Sequence, residues 1–168
     1  MSLWLEPAVF PVLLDWSPQI LEDTVRNLLA DARSTPEKAS RFCAAMERAF
    51  PEAMVEPPSR LADQLGCDPG DRHVLAAAIA AKAELIVTLN VRHFPAVVLE
   101  PLGIEAVTPD QFLCNLLDLA PGAIHCCLET IAARQRNPAR TAQALLQILS
   151  RQAPTFASRC TEFEIDAD

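Results

Sequence analysis

Hydrophobic residues recur at helical spacing along most of the chain and at strand spacing in only a few short places. Between Gln19 and Ala30, the residues Ile20, Leu21, Val25, Leu28 and Leu29 fall at intervals that line one helix face. Proline marks the helix starts. Ser17-Pro18 opens this segment, and Thr35-Pro36 opens a second that runs to about Phe50. A Ser or Thr can accept from the first unpaired backbone N–H groups, and a proline just after it has no N–H to lose. Thr108-Pro109-Asp110-Gln111 adds the reciprocal Gln of a capping box ahead of Phe112 to Leu119. Ala123 to Arg134 is amphipathic, and Asn137-Pro138 predicts a last long helix through about Gln152.

Between the helices, Glu84-Leu85-Ile86-Val87-Thr88-Leu89-Asn90 is short, apolar and β-branched, as a buried parallel strand is. Gly103-Ile104-Glu105-Ala106-Val107 alternates apolar and polar residues, which suits a sheet edge. Ala53-Met54-Val55 is a weaker third strand. Strands alternating with helices predict an α/β fold with a parallel sheet flanked by helices. From Thr108 onward the pattern is helical only, so the expected organisation is an α/β domain over residues 1–107 and an all-helical extension over 108–168.

Composition narrows the picture. Apolar residues make up 51% of the 168, glycine is rare and tyrosine absent, so a core of Leu, Ala, Val and Ile is expected and disorder is not. The formal net charge of −8 argues against a protein that coats nucleic acid, which needs clustered Lys and Arg. It leaves room for a nuclease whose acidic site takes its positive charge from bound cations. Cys43, Cys67, Cys114, Cys126, Cys127 and Cys160 show no C-x-x-C spacing, and His73, His93 and His125 are scattered, so buried reduced thiols are expected in place of a zinc site. No run reaches the roughly 18 uncharged apolar residues of a membrane span, and the N-terminus lacks a basic leader. The expectation is a soluble, cytoplasmic chain.

The segment richest in chemistry is Asp68-Pro69-Gly70-Asp71-Arg72-His73-Val74-Leu75-Ala76-Ala77-Ala78-Ile79. Two carboxylates three residues apart stand at a helix start, either one turn apart on one side or with Asp68 just ahead of the helix. Hard oxygen donors gathered there suit Mg²⁺ or Mn²⁺. The same residues also make a turn and a helix cap, with the carboxylates complementing the helix dipole. Local chemistry leaves both readings open.

Taken together, Asp-x-x-Asp-x-x-Val-Leu-Ala-Ala-Ala followed by Leu-Ile-Val-Thr-x-Asn-x-x-His-Phe-Pro resembles the second half of PIN domains, in particular the VapC-like ribonuclease toxins. Trp16-Ser17-Pro18-Gln19-Ile20-Leu21-Glu22-Asp23 with Arg26-Asn27-Leu28 is similar to a helix of that branch. Gly103 to Leu113 and the helices to about residue 160 are similar to its longer members' C-terminal extension. The resemblance implies a Mg²⁺- or Mn²⁺-dependent endoribonuclease in which acidic residues from separate elements hold the metal. It implies Asp71 as the principal ligand, Asp68 as its companion, and Asn90 where many members carry Asp. It also implies Asp23, with Glu22 beside it, as the acid of the first helix. Thr88 and His93 are expected as outer or substrate-side contacts.

The family's first strand and its terminal Asp are missing ahead of Trp16-Ser17, and Asp15 is the candidate replacement. Leu3-Trp4-Leu5 and Val9 to Leu14 are then expected to fill the gap, or the chain to form a homo-oligomer there. Two functions follow. One is an RNA-cleaving toxin paired with a cognate antitoxin protein. The other is a truncated or degenerate PIN domain without catalysis, kept as a protein-interaction module. A third, a helical binding domain in which Asp68 and Asp71 are only caps, sits poorly with the Ile-Val-Thr-x-Asn match. Arg134, Arg136, Arg140 and Arg151 form a modest basic cluster, either a solvated helix face or a landing surface for RNA phosphates.

Overall fold

The computed structural model describes residues 14–30, 35–58, 60–135 and 139–165. Leu3 to Leu5, Val9 to Leu13, Arg136 and the Asn137-Pro138 helix start lie outside that range. The chain divides into two compact units, one of residues 14–86 with 90–106 and the other of residues 87–89 with 107–165.

The first unit opens with helices α1 (Pro18–Ala30) and α2 (Pro36–Ala49). The expected caps are in place: Ile20 N–H donates to Ser17 Oγ at 3.4 Å, and Lys38 N–H to Thr35 Oγ1 at the same distance. Leu21 and Trp16 are buried with Ala53, and Ile20, Cys43, Met46 and Met54 pack around them. The Trp16 indole meets Phe50 edge to face, ring centres 6.0 Å apart. The weak third strand proves to be a single parallel bridge, Trp16 to Met54. Its hydrogen bonds run from Trp16 N to Ala53 O and from Val55 N to Trp16 O, each 2.9 Å.

Helix α3 (Arg72–Ala81) is short and alanine-rich, and Leu75 to Ala78 are all buried. Small side chains let it lie close against its neighbours, and Leu75 fills the centre of the core with Ile86, Phe94, Leu99 and Ile104. Strands β1 (Leu85–Val87) and β2 (Glu105–Val107) form the sheet, with the short helix α4 (Ala96–Leu99) between them in the chain. Glu105 N–H donates to Glu84 O, and Thr88 N–H to Val107 O. The bonds advance along both strands together, so the pair is parallel. The fold is thus α/β, as expected, but β1 keeps only three of the seven residues predicted for it. After the Thr88 bond to Val107, Leu89-Asn90 leaves the ladder and enters a 3-10 turn at Val91–His93.

The second unit is helical: α5 (Pro109–Leu119), α6 (Pro121–Arg134), α7 (Ala142–Leu149) and α8 (Pro154–Ile165). The capping box of α5 is present in both directions, with Thr108 and Gln111 exchanging side-chain and backbone bonds. The predicted long helix through Gln152 is corrected by the structure. Helix α7 starts at Ala142, capped by Thr141 Oγ1, and ends at Leu149. Helix α8 then follows as a separate element. Leu117, Leu128, Leu146, Ala153, Phe156, Ala157 and Cys160 form this unit's core.

Among the described residues no single helix is long and apolar enough to cross a membrane, and α5 and α6, apolar in series, are bent by 116°. All six cysteines are free. The expectation of buried thiols holds for Cys67 and Cys160, whereas Cys126 is exposed. Burial pushes the thiols of Cys43, Cys67 and Cys127 above their ordinary value, so they stay protonated and poorly nucleophilic at neutral pH.

Candidate metal centre

The site is assembled by the turn before α3 and the turn after β1. Asp68 N–H donates to His93 O at 3.1 Å, which stitches the two turns together through the backbone. Asp71 N–H donates to Asp68 O at 2.9 Å, and His93 N–H to Asn90 O at 2.8 Å. These main-chain bonds hold Asp68, Asp71 and His93 in register whatever their side chains do. Gly70 sits in the tight turn. Its N–H donates to Asp68 Oδ1 at 2.9 Å, and a Cβ there would lie 3.3 Å from that same oxygen.

Asp71 occupies the N-cap position of α3, yet its side chain makes no capping bond. Its Oδ2 instead lies 2.6 Å from His93 Nδ1. That distance is short even for a hydrogen bond with a charged partner. The other ring nitrogen of His93, Nε2, accepts from Arg92 Nε at 3.4 Å. One ligand atom each from Asp68, Asp71 and His93 falls within 4.8 Å of the others. Asp71 and His93 are half-buried and Asp68 is exposed, so the cluster has both an anchored side and an open side. Two carboxylates and one imidazole at that separation are a donor set a single divalent cation can share.

The remaining expected residues are placed differently. Asp23, on α1, meets two partners: Oδ2 lies 3.2 Å from His73 Nε2, and Oδ1 lies 2.6 Å from Arg26 Nη2 as an ion pair without hydrogen-bond geometry. His73 is buried in α3, so this pair ties α1 to α3. Glu22 and Asp15 are exposed, and neither is in the converging cluster. Asn90 is exposed at the start of the 3-10 turn that carries His93, and Thr88 is half-buried just after β1. Arg134 and Arg151 are exposed and Arg140 half-buried in the helical unit.

Sequence reasoning gave His93 only an outer role and gave His73 none. The x-x-His spacing after Asn90 could have flagged the first, since a turn there sends the chain back toward β1's C-terminal end. No local signal could have paired His73 with Asp23, which lies fifty residues earlier.

Residues 109–162 match the VapC50 C-terminal domain. A Mycobacterium tuberculosis (strain ATCC 25618 / H37Rv) protein named "Putative ribonuclease VapC50" is 43% identical over 89 residues, which is 53% of this chain and 53% of that protein. The chain thus matches about half the length of that relative. No solved structure matches. Over residues 109–162, and over the 89 residues shared with that relative, this chain is therefore similar to VapC50 proteins.

Proposed function

We propose that this chain carries a divalent-cation-dependent endoribonuclease site of the VapC type that hydrolyses RNA phosphodiester bonds. The observation that carries the reading is the convergence of Asp68, Asp71 and His93 at the start of α3. A side chain that served only as a helix cap would bond the backbone of its own first turn, and Asp71 does not.

Asp71 and Asp68 supply the negative charge that holds Mg²⁺ or Mn²⁺, and Asp71 ranks first because His93 fixes its carboxylate. The bound cation would acidify a water and offset charge on the attacked phosphate. Gly70 and the backbone bonds hold Asp68 at the rim, leaving the exposed side open to a phosphodiester. Arg92, exposed beside His93, supplies a cation for a neighbouring phosphate. In the toxin reading, a cognate antitoxin protein would block the site, and the chain would act in the cytoplasm.

A second reading, a non-catalytic interaction module, is favoured by two details. Asp23 is paired with His73 and Arg26, and Asn90 brings no charge, so among the described residues two carboxylates converge. RNA cleavage by the full purified chain with Mn²⁺ or Mg²⁺ separates the two. The ribonuclease reading expects cleavage abolished by EDTA and reduced at least about 100-fold in Asp71→Asn, the scale on which losing a principal electrostatic group acts. A folded protein that cuts nothing with either ion, or cuts equally well with EDTA, sinks it.

A further inference from the structure

Strand β1 has β2 as its one ladder neighbour among the described residues. Glu84 O and Thr88 N, on either side of Ile86, both bond toward β2. Backbone groups alternate sides along a strand, so Leu85 and Val87 turn their N–H and C=O groups to the opposite edge. Their side chains are uncovered as well: Leu85 is 39% exposed, Val87 43%, and Leu89, two residues on, 63%. Ile86 between them is 4% exposed and packs in the core with Leu75. An open edge carrying apolar side chains is a template for another strand.

We propose that the chain's own segment Ala8 to Val12 pairs along this edge of β1 as an added outer strand, and that Pro7 and Pro11 stop the sheet from growing beyond it. This pairing is independent of the cation site.

The tether and the prolines select the occupant. Residues 1–13 lie outside the described range and lead into Leu14, itself 48% exposed, and Trp16, whose main chain is bonded to Ala53 and Val55. Ala8-Val9-Phe10-Pro11-Val12 is apolar throughout, and Val9, Phe10 and Val12 are good strand formers. A segment on a short tether meets its own edge at an effective concentration of about a millimolar, which a second copy matches only in concentrated solution.

Proline has no N–H to give to a ladder and is confined to sheet edges. Pro7 and Pro11 are four residues apart, so in an extended segment both face the same side, together with Val9. Ala8, Phe10 and Val12 turn the other way with every N–H intact. One side of the segment can therefore pair while the other is blunted, which suits the outermost place in a sheet.

The test is amide hydrogen exchange of the full chain, read residue by residue by NMR at a low and a high protein concentration. The amides of Leu85 and Val87 have no partner in β2, yet are expected to be protected equally at both concentrations. Phe10→Pro removes an N–H from the pairing side and is expected to cut that protection by about tenfold or more. Val9→Pro removes one from the side already blunted, and Phe10→Ala removes the ring but keeps the N–H; both are expected to retain it. The amide of Leu75, bonded to Asp71 O in α3, reports that each variant is folded.

Unprotected Leu85 and Val87 amides in the unaltered chain overturn the proposal without any variant. So does protection that survives Phe10→Pro. Protection seen only at the high concentration overturns it in favour of a second copy on this edge. Equal loss in Val9→Pro refutes one-sided pairing, and equal loss in Phe10→Ala shows a ring packed on β1 in place of a ladder.

Discussion

At the scale of single residues, two histidine–aspartate pairs do different work. His93 and Asp71 are half-exposed and face the open side of a turn, where their contact can be exchanged for another ligand. His73 and Asp23 join two helices, with the His73 side chain only 8% exposed. A hydrogen bond to a charged group contributes about 1.5–3 kcal/mol, and a buried partner left alone costs desolvation on top. His73→Ala is therefore expected to destabilise the chain by about 2–4 kcal/mol in urea unfolding, since it also empties core space. Adding Asp23→Ala to it should cost less than the sum of the two single changes, with a coupling of about 0.5–3 kcal/mol. Strict additivity would mean the pair contributes nothing.

Another residue-level feature is Lys82, which closes α3 in the left-handed region at φ 56°. A side chain costs about 1–2 kcal/mol in that conformation, and glycine is free of it. Lys82→Gly is expected to raise stability by about 0.5–1 kcal/mol, after the extra freedom it gives the unfolded chain is subtracted. A lower midpoint in denaturant would show that the lysine side chain makes a stabilising contact.

Elements reveal what was legible in the sequence and what was not. Helices α1, α2 and α5 were readable because each carries its own cap: Ser17, Thr35 and the Thr108–Gln111 box. Helix α8 was not, because Ala153-Pro154 supplies no side-chain acceptor. Its first-turn N–H groups are satisfied from elsewhere in the unit. Phe156 N–H donates to Asp110 Oδ1 at 2.9 Å and Thr155 N–H to Asp110 Oδ2 at 3.3 Å. A cap borrowed over more than forty residues leaves no local trace. The strand was overread for the opposite reason. Thr88-Leu89-Asn90 has strand-like residues, but the chain must turn there to bring His93 back to Asp68. The site divides the same way: Asp68 and Asp71 were visible as a local spacing, while the Asp23–His73 pair exists only in the fold.

The remote cap also makes an acid-sensitive contact. The backbone N–H of Phe156 and then the contacts of Thr155 hold the Asp110 carboxyl below its ordinary value, and Arg159 does the same for Asp118. A lowered folded-state value means the stabilisation is complete above the ordinary carboxylate range and is lost as pH falls through the lowered one. Amide protection at the start of α8 is thus expected to fall in acid. Asp110→Ala should lower the melting temperature at pH 7, and the gap from wild type should close as the pH falls below the ordinary carboxylate range. A gap that stays constant with pH would show that the side chain acts by packing, not by charge.

For the molecule as a whole, the central fact is that each unit buries its own core. Leu75 is fully enclosed among residues of the first, and Phe156 is 2% exposed among those of the second. Leu75→Ala is expected to cost about 2–5 kcal/mol and Phe156→Ala about 3–5 kcal/mol. Hydrogen exchange followed by fragment should show lost protection concentrated in residues 60–106 for the first and 107–162 for the second. Uniform loss across both units from either change would mean that they unfold as one.

The second unit's connectivity has a consequence for how the protein is made. Its first helix, α5, packs most extensively against its last, α8, and Asp110 at the front of α5 closes the start of α8. A ribosome delivers these partners at opposite ends of the unit, at about 5–20 residues each second. Helices α5, α6 and α7 are therefore in place for seconds with one side of the bundle open and Asp110 uncapped. A nascent chain halted before residue 154 should recruit chaperones, and the release of the final helix is the moment at which the unit locks.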